Sequence, residues 1–255
     1  MAGTLPLSLV VITRDAAKDL AACLASAPFV SEVVVVDAGS GDDTVEIARR
    51  SGARVIAEPW RGFGPQKNFA VAAAAHDWVL CIDADERATP ELEASIRAEF
   101  DAGEPAAPAF AIARRNRFLG RWLAHGEGYP DWNLRLFDRR RARWTDDAVH
   151  EHVVAEGAVV RLRGDLLHAS AESIDDYVQK QNRYTSLQAE AMHARGERAG
   201  FARLALSPLA RFLRFYIVRL GFLDGAAGFA HIAIGAFASF LKYAKLRALN
   251  ARGGP

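Results

Sequence analysis

Three carboxylates, Asp83, Asp85 and Glu86, follow directly on the apolar run Trp78 to Ile82. Acids crowded at the mouth of a buried strand repel one another and lose hydration, so something positive must compensate them. An Asp-x-Asp pair at a strand end suits a hard divalent cation, Mg2+ or Mn2+, whose open positions accept phosphate oxygens. Alone the pair is a weak signal, since many surface loops contain one; behind an apolar strand in a fourth strand-helix repeat it is far more specific. In an open parallel sheet, ligands bind beyond the carboxyl ends of the strands. That rule also selects Thr13, Arg14 and Asp15 at the end of a first strand, and Asp37 at the end of a second. Asp37 taken alone, in VDAGSGDDT, reads equally well as a turn and capping acid.

Other phosphate cradles are missing. No G-x-G-x-x-G follows the first strand and no G-x-x-x-x-G-K-[ST] occurs, which argues against a dinucleotide oxidoreductase and a P-loop nucleoside triphosphatase. No G-x-S-x-G elbow is present either. A nucleotide whose phosphates are held by a metal is the chemistry left.

The elements that would position these residues alternate. PLSLVVIT (6–13) is an apolar strand, residues 15–25 carry leucines four apart on a helix, and EVVVVD is a valine run of the kind buried on both faces of a parallel sheet. Ser40, three before Asp43, reads as a capping pattern for a helix through Arg50. ARVIAEP is a third strand, residues 65–75 a helix and WVLCID a fourth strand. Such alternation to residue 100 implies right-handed βαβ units and a mostly parallel sheet flanked by helices. DAGEPAAPA (101–109) is the candidate loop between two halves, 1–100 and 110–170, of a catalytic domain spanning 1–170. The second half reads as short antiparallel or mixed strands, and 171–255 as a helical extension.

With 255 residues, about half of them apolar, the chain can bury a large core. A net charge of +1 gives no global field for nucleic acid. Cys23 and Cys81 lack metal or disulfide spacing, and MAGTLPLSLVVITRD reads as a strand rather than a leader, so a reducing, cytoplasmic location is expected. Residues 208–249 are rich in Phe and Leu and edged by basic residues. Their uninterrupted apolar part, Gly225 to Leu241, falls short of a spanning helix. A helical pair resting on an anionic membrane face is the expectation, with packing against the domain or a second subunit, as a homo-oligomer, as the alternative.

The segments LSLVVITRDAAKDLAACLAS, EVVVVDAGSGDDTVEIARRSGARVI, WRGFGPQKNFAVAAAAHDWVLCIDADE and RLFDRRRARWTDDAVHEHVV resemble the inverting family 2 glycosyltransferases of GT-A (Rossmann-like) fold, and among them the bacterial β-1,4-glucosyltransferase-like branch acting on the lipopolysaccharide inner core. The resemblance implies that Thr13, Arg14 and Asp37 hold the nucleoside of a UDP-sugar. It places Lys67, in GFGPQKN, at a base or diphosphate contact, with a helix-surface lysine as the structural alternative. It implies Asp85 as direct metal ligand, Asp83 as its partner nearer the ribose, and His168 as the late histidine completing the metal site, against a satisfied core histidine. Many relatives carry a Glu-Asp pair as base; none follows residue 101. Glu151, flanked by His150 and His152, and Asp131, in GYPDWNLRLF, are the candidates, each also readable as an arginine's ion-pair partner. Glu86 either faces the acceptor or favours the start of the following helix.

The expected function is metal-dependent transfer of a hexose, glucose from UDP-glucose, to a membrane-bound lipopolysaccharide core saccharide by a peripheral protein on the cytoplasmic face of the inner membrane. Transfer to a polyprenyl phosphate, or a non-catalytic nucleotide-sugar-binding scaffold at the membrane, are the rivals.

Overall fold

A computed structural model of the chain describes residues 3–147, 151–171 and 173–252. His150 lies outside the described residues. The chain divides into two compact units, residues 1–114 with 132–168, and residues 115–131 with 169–255.

The first unit begins with the expected alternation: β1 (Leu5–Thr13), α1 (Ala17–Ala25), β2 (Val30–Asp37), α2 (Thr44–Arg50), β3 (Arg54–Ala57), α3 (Phe63–Ala73) and β4 (Trp78–Cys81). β1 pairs in parallel with both β2 and β4, and β2 with β3. The valine run of β2 ends in four buried residues, as a strand covered by helices on both faces should. The register sets Thr13 opposite Asp37, and Asp37 opposite Ala57, so three strands end on one rim.

After β4 come β5 (Glu86–Ala88), α4 (Pro90–Phe100), β6 (Ala109–Phe118), β7 (Arg121–Trp122), β8 (Asp131–Asp138), β9 (Ala142–Trp144), β10 (Val153–Ala155) and β11 (Val159–Ala171). The main sheet runs β3-β2-β1-β4-β8-β6-β11-β5, with β7 on β6; β9 and β10 form a separate antiparallel pair. β8 runs antiparallel to β4, and β5 antiparallel to β11, so the additions are mixed, as expected.

This order forces the sheet to curl. From Cys81 to Glu86 the chain reaches at most about 18 Å when fully extended, while four lateral steps across a flat sheet need about 19 Å. The connection is not extended, because Glu86 N–H donates to Asp83 O at 2.9 Å in a turn. The acidic loop therefore spans the mouth between two strands that lie far apart in sheet order.

Several local expectations are corrected. β4 is four residues long, α1 starts at Ala17, and α3 covers Phe63–Ala73 rather than 65–75. Ser40 does not cap α2. The N-cap is Asp43 without a side-chain bond, and Ser40 is drawn away to Asp37 and to the N–H of Asp15. Glu86 is fully buried in β5, four residues before the start of α4.

The second unit holds α5 (Ile174–Ala194), α6 (Phe201–Leu213), a π-helical turn over Arg214–Val218, a 3-10 turn over Gly221–Asp224 and α7 (Gly225–Arg252). The segment from Gly221 to Ala251 is continuous enough to pass, by length and composition, for a membrane-crossing helix, contrary to the shorter apolar run read from sequence; half of its most apolar stretch is buried in the protein. Within that segment Ala227, Ala230 and Ile234 pack against Phe118, Leu123 and Tyr177, and further along α7 Tyr243 and Leu246 cluster with Ala189 and Met192 of α5.

Candidate active site

The loops after β1 and β2 are laced together. Asp15 N–H donates to Ser40 Oγ (2.9 Å), Ala16 N–H to Thr44 Oγ1 (2.7 Å) and Ala17 N–H to Asp42 Oδ2 (3.1 Å), while Gly41 N–H donates to Asp15 Oδ1 (2.8 Å). Asp15 sits at φ 51, a left-handed conformation that Asp tolerates better than most side chains. The lacing holds open a cleft of about 370 Å3 whose lining includes Thr13, Arg14, Lys18 and Asp85. Lys18 went unnoticed in the sequence; it stands in the first turn of α1, four residues after Arg14.

Asp37 sits at the same rim but is heavily committed. Its carboxylate accepts from Thr13 Oγ1 (3.1 Å), Ser40 Oγ (2.5 Å), Ser40 N–H (2.9 Å) and Gly39 N–H (3.0 Å). Burial alone would raise its pKa; these donors outweigh burial and hold it below the ordinary carboxylate range. The turn role allowed for Asp37 is thus present in the structure.

The opening puzzle of crowded acids has a protein-borne answer. Lys67 Nζ lies 3.1 Å from Asp83 Oδ1 and 3.1 Å from Glu151 Oε1. Arg135 Nη2 donates to Asp83 Oδ2 (2.7 Å) and Glu86 Oε1 (2.9 Å), and Arg114 approaches Glu86 at 3.6 Å. Glu86 closes the cluster by accepting the N–H of Asp83 at 2.9 Å. Three acids and three cations therefore balance in one network. Burial pushes the Asp83 pKa up, but Arg135 and Lys67 overcome it and hold the carboxyl far below its usual range. Burial likewise opposes the charge on Lys67, and Asp83 and Glu151 more than restore it. Lys67 is not a surface lysine; only 4% of its side chain is exposed.

Close docking of α3 puts Lys67 there. Asn68 clamps the edge of β9, its Nδ2 donating to Trp144 O and its Oδ1 accepting the N–H of Trp144, both at 3.0 Å. A Cβ on Gly64 would collide with the carbonyl oxygen of Thr145, so only glycine permits the approach. The ammonium of Lys67 then rests 4.3 Å from the centre of the Trp144 ring, and the Arg135 guanidinium 5.6 Å from it. Arg135 and Trp144 were not singled out from sequence. The available signal was an arginine placed at a buried position inside the apolar strand NLRLF.

Asp85 and His168 form the second half of the site. Asp85 Oδ2 lies 3.2 Å from His168 Nε2. The β5–β11 register sets His168 opposite Glu86, which carries the imidazole 82 positions along the chain to the acidic loop. Among the described residues no three His, Cys, Asp or Glu side chains stand grouped as a ready metal site. Both oxygens of Asp83 are engaged, one by Lys67 and the other by Arg135. Asp131, at the start of β8, belongs to the second unit, whereas Glu151 belongs to the first.

Residues 8–161 match the model of the family described as glycosyl transferase family 2. The chain is 34% identical over 219 residues to the lipopolysaccharide core biosynthesis glycosyltransferase LpsC of Rhizobium meliloti, covering 83% of this chain and 81% of that protein. It is 34% identical over 257 residues to an uncharacterized glycosyltransferase of Rickettsia typhi, covering 96% and 88%. Among solved structures, mannosyl-3-phosphoglycerate synthase from Rubrobacter xylanophilus aligns over 76% of both chains at 18% identity with a TM-score of 0.47. Glucosyl-3-phosphoglycerate synthase from Mycobacterium tuberculosis, in complex with Mn2+, UDP and glucosyl-3-phosphoglycerate, aligns over 44% of both chains at 26% identity with a TM-score of 0.36. By its match to the family model and by relatives aligned over most of both lengths, the chain belongs to glycosyl transferase family 2 and is a glycosyltransferase of α/β architecture.

Proposed function

We propose that the protein is a metal-dependent, inverting glycosyltransferase moving a hexose, with glucose as first choice, from a UDP-sugar to a hydroxyl of a lipopolysaccharide inner-core saccharide. The observation that carries the reading is the convergence of Arg14, Lys18 and Asp85 on one cleft at the carboxyl rim of the parallel strands, with His168 at 3.2 Å from Asp85. Two cations beside a carboxylate-imidazole pair suit a diphosphate better than a neutral ligand.

A carboxylate and an imidazole are fitting donors for Mn2+ or Mg2+, leaving positions for phosphate oxygens. Bound there by Asp85 and His168, the cation would neutralise charge developing on the departing UDP. Arg14 and Lys18 add fixed positive charge to the diphosphate. Asp83, anchored by Lys67 and Arg135, holds the loop and faces the ribose. Thr13 and Asp37 border the nucleoside end. Glu151 takes the proton of the acceptor hydroxyl as general base, held in place by Lys67, with Asp131 as the second candidate.

The name of the LpsC relative supports the acceptor class. An acceptor of that class implies work at the cytoplasmic face of the inner membrane. The test uses purified protein, a panel of nucleotide sugars and deacylated core oligosaccharide, with Mn2+ or EDTA, for the wild type and Asp85→Ala. Transfer from UDP-glucose that falls at least about 100-fold with EDTA and with Asp85→Ala is expected. Unchanged turnover in both would sink the metal assignment, and transfer only to a polyprenyl phosphate would sink the acceptor.

A further inference from the structure

Helix α6 leaves an apolar stripe on its outward face, which ill suits a water-exposed surface. Its inward side is mixed: Leu204 packs against the cluster of Ala189, Met192, Tyr243 and Leu246, Ser207 meets Ser239 of α7 at 3.0 Å, and Arg211 pairs with Glu127. Its outward positions are apolar, with Leu206, Leu209, Leu213 and then Ile217 of the π turn 60, 55, 48 and 51% exposed. Their spacing of three or four keeps them on one face. A surface helix normally turns this stripe to the core, yet no residue of α6 is buried.

The face does not stop at the end of α6. Val218, Leu220, Phe222 and Leu223 continue it through the turns, all exposed. This turn is built rather than slack: Leu220 is held at φ 56, its N–H donates to Ile217 O, and Leu223 N–H donates back to Leu220 O. Phe229 extends the patch onto α7 by edge contacts with Phe212 and Tyr216, at 5.9 and 5.7 Å.

Charge selects the occupant. From residue 201 to 251 every charged side chain is basic except Asp224. Asp224 is buried and spent on the N–H groups of Ala124 and His125. Glu127 offsets Arg211, which leaves the exposed Arg203 and Arg214 as the charges of α6 and its C-cap beside the apolar face, and such a face complements an anionic lipid surface. A second copy of this chain would bring the same basic border against itself. Half of the most apolar stretch of α7, meanwhile, is buried, with Ala227, Ala230 and Ile234 against Phe118, Leu123 and Tyr177, and the helix meets α5 through Tyr243 and Leu246.

We infer that the outward face of α6 and the turn at 217–223 form an interfacial docking surface that seats in the headgroup and upper acyl region of an anionic bilayer, with α7 remaining on the protein side and not crossing it. The inference is independent of the sugar, metal and base assigned above, because its readout is lipid binding.

The test is flotation of the full-length protein with vesicles of phosphatidylcholine alone or with 30% phosphatidylglycerol. Binding to the anionic vesicles, weakened at least about ten-fold by 0.5 M salt, is expected. Leu209→Glu with Leu213→Glu should lower vesicle binding at least about ten-fold, with an unchanged melting temperature as the check on folding. A second, milder variant, Arg214→Gln, should lower binding to anionic vesicles alone. Three outcomes overturn the proposal: no vesicle binding by the wild type; a dimer in light scattering that the double variant converts to monomer; or membrane association resistant to alkaline carbonate, which marks a spanning helix.

Discussion

The ammonium of Lys67 lies 3.1 Å from Asp83 Oδ1 with only 4% of the lysine side chain exposed. This contact, with that of Arg135, offsets the charge of the first acid of the Asp-x-Asp pair. The two aspartates have different partners: Asp83 pairs with Lys67 and Arg135, and Asp85 is the acid that meets His168.

Replacing Lys67 by Met keeps most of its volume and removes its charge. Asp83 and Glu151 then lose a shared cation, and removal of one member of a buried ion pair costs about 3 kcal/mol. Urea unfolding of Lys67→Met should show a loss of that order. Stability equal to wild type would mean that Arg135 alone satisfies the network.

The pH dependence follows from the same contact. Asp83 has a native pKa below its unfolded value near 3.9, so its contribution is complete above about pH 4 and is lost as pH falls below it. Lys67 has a native pKa above its unfolded value near 10.4, so its contribution is complete below about pH 10 and is lost as pH rises further. Stability should therefore be flat in these two groups between those limits. Asp83→Asn should flatten the acid limb of the wild-type profile, measured by denaturant titration from pH 2.5 to 6; an undiminished slope counts against Asp83 as the source.

His168→Ala removes the partner of Asp85 while leaving the Lys67 network intact. The metal concentration giving half-maximal transfer should rise about 10- to 100-fold, with activity partly restored at high Mn2+. An unaltered metal dependence would make His168 a structural residue of β11.

Gly64→Ala adds one methyl group against the carbonyl of Thr145. The docking of α3 on β9 must shift, at a cost of about 1–3 kcal/mol, and Lys67 and Trp144 shift with it. Thermal unfolding and donor KM should both worsen; a wild-type melting temperature would show that α3 moves freely.

Glu151→Gln tests the base. Turnover should fall about 10²- to 10⁴-fold with little change in donor KM, while Asp131→Asn stays near wild type. The reverse pattern would transfer the role to Asp131.

The parallel half of the sheet was legible because its signal is local: valine runs, helical leucine spacing and acids at strand ends all lie within windows of about ten residues. The candidate rim residues Thr13, Asp37, Asp83 and Asp85 could be named for the same reason. Ser40 shows the limit of local reading. Its spacing to Asp43 suggested a cap, but Asp37, three residues earlier, competes for its hydroxyl and wins.

By itself, the sequence determined an α/β fold with acids at a strand mouth and a family resemblance spread along the chain. Only the tertiary structure decided which acids are neutralised from within. Arg135 lies 52 positions from Asp83, Lys67 meets Glu151 across 84, and His168 reaches Asp85 through the pairing of β5 with β11. Such contacts depend on strand register and on the close approach allowed by Gly64, which no local pattern encodes. The outward apolar face of α6 was decided in the same way, because helical spacing defines a stripe but only packing says which side of the helix it faces.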